Sequence, residues 1–178
     1  MELLDFEQVL GYAKGEFPET FEKYQEELAH ANLTGAVEEF LLAQVRDLRL
    51  SEEYRKAVRP EKICNFLKSE LGYRMVRADL PGKLKREQPF VLAIPAQRLK
   101  EEFPPEEKVL IQGIIDVYFV EDDGIVLLDY KTDSIESMEA LWNRYATQLD
   151  YYQEALERLT TLPVKEKILY SFHLETWK

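Results

Sequence analysis

"IIDVYFVEDDGIVLLDYKTD", Ile114 to Asp133, is the stretch whose reading decides the fold. Two runs rich in Val, Ile, Leu, Tyr and Phe flank the segment "EDDG", Glu121 to Gly124. Such runs are strand formers, and Asp and Gly supply the backbone conformations of a hairpin turn. With Val120 opposite Ile125, the register sets Asp116 directly opposite Asp129, and the loop shrinks to Asp122–Asp123. Cross-strand neighbours lie about 4.5–5.5 Å apart at Cβ, where like charges destabilise a sheet. A bound cation is the simplest agent that offsets this repulsion.

Side chains alternate along a strand, so Asp129 and Lys131 share a face. The register adds Asp116, Ile114, Tyr118 and Leu127 to it. The opposite face, with Ile115, Val117, Phe119, Val126, Leu128 and Tyr130, is apolar too, which predicts a central strand pair covered on both sides. An unpaired buried charge costs several kcal/mol, so charges in such a place are paired or ligate metal. Hard carboxylate oxygens suit Mg²⁺ or Mn²⁺. Such an ion polarises a phosphoryl group and activates water near neutral pH, which is the chemistry of phosphodiester hydrolysis. Lys131 is placed to orient that water or to stabilise charge developing on phosphate. A buried Asp–Lys ion pair with a second Asp near a turn fits the same spacing, and spacing alone leaves the two readings open.

Composition narrows the setting. At 178 residues the chain is long enough for one domain with a sizeable core. One cysteine excludes an intramolecular disulfide and a cysteine-based zinc site. No apolar run is long enough to span a bilayer and no secretory leader pattern is present, which sets the cytoplasm as the expected compartment. The net charge of −11 opposes stand-alone binding to nucleic acid, because phosphate affinity comes largely from Lys and Arg. It is compatible with a catalytic module whose partner domains supply that affinity.

The chain to about residue 80 reads as mainly helical. "PETFEKYQEELAHANL" and "GAVEEFLLAQVRDLRL" carry apolar residues at helical spacing. "RPEKICNFLKSELG" places Pro60 at a first helical position and Gly72 at the stop. Cys64 falls on the apolar face of this helix and reads as a core thiol. From Leu84 the character changes. "LKREQPFVLAIP" is an extended run whose Pro89 argues for an edge position or a bulge. After the hairpin, "SMEALWNRYATQLDYYQEALERL" is a long amphipathic helix and "KEKILYSFHLETW" a terminal strand. The order of elements predicts a mixed α/β sheet flanked by helices, with residues 84–178 forming the catalytic part of a single domain spanning 1–178.

Four pieces, "KREQPFVLAIPA", "GIIDVYF", "LLDYKTD" and "QLDYYQEAL", occur in the order found in RecB-family nucleases of the PD-(D/E)XK superfamily. The chain resembles that family, most of all the C-terminal nuclease domains of AddA-type helicase–nucleases. The resemblance implies a restriction-endonuclease-like fold and a Mg²⁺- or Mn²⁺-dependent deoxyribonuclease acting in double-strand-break repair and recombination. It implies that Asp116 and Asp129 bind metal, that the Tyr130 carbonyl and Glu87 complete the ligand set, and that Lys131 is the catalytic lysine. Gln148 and Tyr152 match a Gln-x-x-x-Tyr motif that contacts DNA, and their i, i+4 spacing sets them on one helix face. The implied partners are DNA, helicase domains of the same parent chain and a nuclease partner of AddB type. The rival reading is a catalytically silent scaffold on the same fold, which guides DNA or docks a partner.

One departure stands out. Members of the family usually carry a metal-binding histidine in an N-terminal helix, within a Gly-Thr-x-x-His type motif that is absent here. Neither His30 nor His173 has the flanking residues. "MELLDF" resembles the segment following that helix, so the expectation is a fragment of a larger protein, weak or inactive by itself.

Overall fold

The computed structural model describes residues 4–12 and 16–178. Met1–Leu3, the start of "MELLDF", lie outside the described residues. Contacts divide the chain into two compact units at the Lys83–Leu84 bond.

The unit from Leu84 to Lys178 is built on the hairpin. Strands β2 (Lys108–Glu121) and β3 (Gly124–Lys131) are antiparallel, with Val120 opposite Ile125 and Glu121 opposite Gly124. The loop is therefore Asp122–Asp123 alone, as the turn chemistry predicts. Lys165 ties the turn down through ion pairs to Glu121 (2.6 Å) and to Asp123. Strand β1 (Leu84–Pro95) pairs with β2 at the edge of the sheet, where the missing N–H of Pro89 is tolerated. On the other side, β4 (Val164–Ser171) runs parallel to β3, and the short β5 (Thr176–Trp177) runs antiparallel to β4. The sheet order is β1-β2-β3-β4-β5, a mixed sheet of the expected class.

The parallel β3–β4 pair needs a crossover, and helix α7 (Met138–Thr160) supplies it. Ser137 caps its first turn by accepting from the Ala140 N–H at 3.2 Å. Thr161, at φ 61, closes the other end in the left-handed conformation. Leu141, Leu149, Tyr152 and Leu156 recur on one face of α7 and pack on Ile115, Tyr118, Ile125, Leu127 and Leu169. Leu141, Leu149 and Leu156 are fully buried, each stabilising the unit by about 1.5–3 kcal/mol.

The sheet departs from the expected alternation at one place. Ile114, expected on the covered face beside Asp116, is 56% exposed, while Ile115 joins Tyr118 and Leu127 in the core against α7. Residues three apart share a face only if the alternation breaks between them. The break lies where the β1–β2 ladder passes from Arg86↔Val117 to Gln88↔Ile115 and leaves out Glu87, whose φ is 50, and Asp116, which the unchanged register sets opposite it. A second correction concerns the terminal strand. It stops at Ser171, whose hydroxyl accepts from the Leu174 N–H at 3.1 Å, and returns as β5 after Glu175 at φ 54.

The first unit is helical among its described residues: α1 (Phe6–Leu10), α2 (Phe21–His30), α3 (Leu33–Arg46), α4 (Glu52–Ala57), α5 (Pro60–Leu67) and α6 (Glu70–Asp79). Its core includes Tyr24 and Tyr73, whose hydroxyls donate to the carbonyls of Leu67 and Glu19, each at 2.8 Å. Pro60 opens α5 as expected. Gly72 does not stop it. The helix ends at Leu67, Ser69 caps α6, and Gly72 lies in the first turn of that helix. A Cβ at Gly72 would sit 2.3 Å from the Phe66 carbonyl oxygen, so the residue is glycine for close approach rather than for termination.

Candidate active site

β3 is buried from Gly124 through Asp129 and emerges only at Tyr130 and Lys131. A strand apolar on both faces thus carries one carboxylate to the end of the core. Asp129 is 1% exposed, and its Oδ1 has no hydrogen-bond partner among the described residues. Lys131 meets Oδ2 as a close ion pair. Loss of water pushes the Asp129 carboxyl up to about 6, against the pull of Lys131 and helped by the charges of Asp116 and Asp133.

The β2–β3 ladder runs to Val117↔Leu128, one pair short of Asp116 and Asp129. Beyond that point a side chain takes over from the backbone: the Tyr130 N–H donates to Asp116 Oδ2 at 3.1 Å. Asp116 is half-buried. One oxygen of its carboxylate is therefore committed to holding β3, a role the sequence did not disclose.

Lys131 reaches from the strand to α7. Its Nζ lies 4.2 Å from the centre of the Tyr145 ring and 3.5 Å from Gln148 Oε1. An ammonium over an aromatic face is attracted by the ring quadrupole, which helps keep the lysine in place. Tyr145 is fixed in turn, since its hydroxyl donates to Asp133 Oδ1 at 3.0 Å and Arg144 pairs with the same oxygen at 3.2 Å. Gln148 Nε2 donates to the Tyr152 hydroxyl. Burial raises the Tyr152 phenol above its ordinary range, and the Asp129 and Asp116 charges raise it further.

Asp116, Asp129, Tyr130, Lys131, Gln148 and Tyr152 are thus joined through hydrogen bonds, the ion pair and mutual electrostatics. Glu87 makes no hydrogen bond or ion pair with that set among the described residues; it is exposed on β1, at the position the β1–β2 register sets opposite Asp116. His30, the last residue of α2, and His173, in the turn before β5, are both exposed. Tyr145 and Asp133 belong to the site although neither was among its expected residues. The signal for both was spacing: Asp133 follows Lys131 by two residues, and Tyr145 precedes Gln148 by three, one helical turn.

The donor set suits a hard divalent cation. Asp129 Oδ1 is buried without a partner among the described residues, Oδ2 meets only Lys131, and an ion would satisfy the carboxylate. Among the described residues no three His, Cys, Asp or Glu side chains gather as a ready-made cage. Such sparse carboxylate ligation is typical of Mg²⁺, which keeps several waters and shares ligands with substrate phosphate.

A mixed sheet delivering Asp-x-Lys from a buried central strand, with a second Asp from its hairpin partner, defines a nuclease-type α/β unit. The profile of the PD-(D/E)XK nuclease superfamily matches residues 4–176, and the chain belongs to that superfamily. It is similar to the AddA-type ATP-dependent helicase/nuclease protein of Clostridium botulinum (strain 657 / Type Ba4), at 44% identity over 132 residues. That match covers 72% of this chain and 10% of the relative. The protein of the same description from Clostridium perfringens (strain SM101 / Type A) is 44% identical over 146 residues, 78% of this chain and 12% of the relative. The chain thus spans about a tenth of the length of these relatives. The resemblance read from the four motif pieces is borne out.

Proposed function

We propose that the chain is the metal-dependent deoxyribonuclease domain of a helicase–nuclease acting in double-strand-break repair and recombination. The observation that carries this reading is Asp129: a buried carboxylate whose Oδ1 has no partner among the described residues and whose Oδ2 meets Lys131, with Asp116 close by. Asp116, Asp129, the Tyr130 carbonyl and Glu87 would hold Mg²⁺ or Mn²⁺. When bound, such an ion polarises the phosphoryl group and lowers the pKa of coordinated water. Lys131, steadied by Tyr145 and Gln148, stabilises negative charge as it develops on the phosphate. Gln148 and Tyr152 bind the strand alongside.

Both compact units belong to one nuclease domain in this proposal, a view supported by the family match running across both. The remaining nine-tenths of the relatives' length motivates further partners: helicase domains in a parent chain, a nuclease partner of AddB type, DNA as substrate and a cytoplasmic setting. Among the described residues no helix is long and apolar enough to cross a membrane.

The scaffold reading draws on the absence of a three-residue metal cluster among the described residues. Calorimetric titration with Mn²⁺ and a single-stranded DNA cleavage assay separate the two. The nuclease reading expects saturable binding that Asp129→Ala abolishes, and cleavage that Lys131→Ala lowers by about a hundredfold or more. Binding unaffected by Asp129→Ala would refute it.

A further inference from the structure

Next to the catalytic set lies an open groove of about 340 Å³, lined by Phe90, Ile111, Gln112, Gly113, Gln148, Tyr151 and Tyr152. We infer that this groove takes one unpaired nucleobase of the strand being cut. The inference rests on the nuclease reading above and adds a base-binding site to it.

The walls are aromatic. Phe90 and Tyr152 meet edge to face with ring centres 5.4 Å apart, and Tyr151 stands beside Tyr152 on α7. Phe90 lies over Gly113, its direct partner across the β1–β2 ladder. A Cβ at Gly113 would stand 3.0 Å from Phe90 Cε1, so a larger residue there would push the ring away and fill the floor. The glycine thus keeps open a slot floored by an aromatic ring. Gln112 and Gln148 bring amide groups able to donate to and accept from a base edge.

Charge favours the same occupant. In a chain of net charge −11, every residue lining this groove is uncharged. Cations stand only at its margins: Lys131 Nζ lies 3.5 Å from Gln148 Oε1, and the Arg98 guanidinium lies 5.4 Å from the centre of the Tyr151 ring. A strand repelled by much of the surface can still gain affinity here by stacking. Base–aromatic stacking contributes about 1–3 kcal/mol per base, and it requires a base drawn out of the duplex. Gln148 supplies the link to chemistry, because it lines the groove and also reaches Lys131 Nζ. Phosphate at the lysine and base in the groove would belong to neighbouring positions of one strand.

The test uses two oligonucleotides that share a phosphate backbone. One carries 2-aminopurine in a single strand; the other has an abasic residue at that position. Binding is followed by anisotropy with a chelator present, and stacking by quenching of 2-aminopurine. The expectation is that the base-bearing strand is quenched and binds about 5- to 150-fold more tightly than the abasic one. Phe90→Leu and Tyr151→Leu, which keep apolar bulk, should lower that ratio toward one without altering affinity for the abasic strand. Circular dichroism establishes that both variants fold. Equal binding of the two oligonucleotides, absence of quenching at saturating protein, or a ratio unchanged in both variants overturns the base site. Lys131→Ala reports on the nuclease reading separately, since it should lower cleavage by about a hundredfold or more and weaken both oligonucleotides equally. A preserved base preference with cleavage indifferent to Lys131→Ala would sink the nuclease reading and leave the groove standing.

Discussion

Asp129→Asn should change how the stability of the protein depends on pH, by an amount set by the burial of this carboxyl. Its folded-state value of about 6 lies above the ordinary 3.8. The folded protein therefore binds this proton more tightly than the unfolded chain does. Ionisation costs the folded state nothing below pH 3.8, and its penalty grows as pH rises toward 6 and is complete above it. The full penalty is about 3 kcal/mol, from two pKa units at about 1.4 kcal/mol each. Between about pH 4.5 and pH 8 some 2 kcal/mol of it should appear, roughly 4–8 °C in melting temperature for a chain of this size. Asn cannot ionise, so its stability relative to wild type should rise by that amount over the interval. Titrating groups that do not interact with Asp129 cancel in the difference. The absolute offset between the two proteins is less informative, because a buried amide brings its own unsatisfied donors. Urea unfolding of both proteins at four or five pH values, in chelator, measures the quantity. A difference that stays flat from pH 4.5 to pH 8, or falls, would show that Asp129 is not held at the cost argued here. Adding Mg²⁺ at pH 8 should recover stability for wild type by mass action and not for the variant.

Substitutions at three other positions follow from particular features of the structure. Asp116→Ala leaves the Tyr130 N–H without its acceptor and should cost about 1 kcal/mol in urea unfolding, whereas Asp116→Asn retains an acceptor and should cost little. Both should lose the Mg²⁺-dependent rise in melting temperature. Glu87→Gly relieves a left-handed backbone at a residue with a Cβ, and should hold or raise stability by up to about 1 kcal/mol while weakening Mn²⁺ binding in calorimetry. Gly72→Ala forces a methyl group against the Phe66 carbonyl and should destabilise the helical unit by about 2 kcal/mol or more, read from its denaturation midpoint.

The hairpin could be read from sequence because two independent signals agreed: the period-two pattern of β2 and β3, and a turn segment whose length set the register. The extent of β1, from Leu84 to Pro95, and α7 followed from equally consistent patterns. What escaped was decided by single backbone conformations or by tertiary partners. Nothing in "KREQPF" signals that Glu87 turns left-handed, and at the level of Glu87 and Asp116 the alternation breaks, with Ile114 outward and Ile115 inward. Gly72 carries the same letter whether it ends a helix or lets two helices approach, and only the nearness of Phe66 distinguishes the cases. The ring of Tyr145 beneath Lys131 joins a strand to a helix fourteen residues later, a distance over which periodicity is silent about contact.

The bond from the Tyr130 N–H to Asp116 gives position 116 two occupations with different tolerances. As an anchor for β3, the position needs a short side chain ending in an acceptor, and Asp and Asn are interchangeable. In the ligand role proposed for it the position needs negative charge, and only Asp satisfies both requirements. Glu keeps the charge but carries the acceptor one methylene further from β2, so it must displace the neighbouring strand or abandon the anchor. A library randomised at this codon should accordingly split by the trait selected. Survivors chosen for folding would retain Asp and Asn, and survivors chosen for catalysis would retain Asp alone.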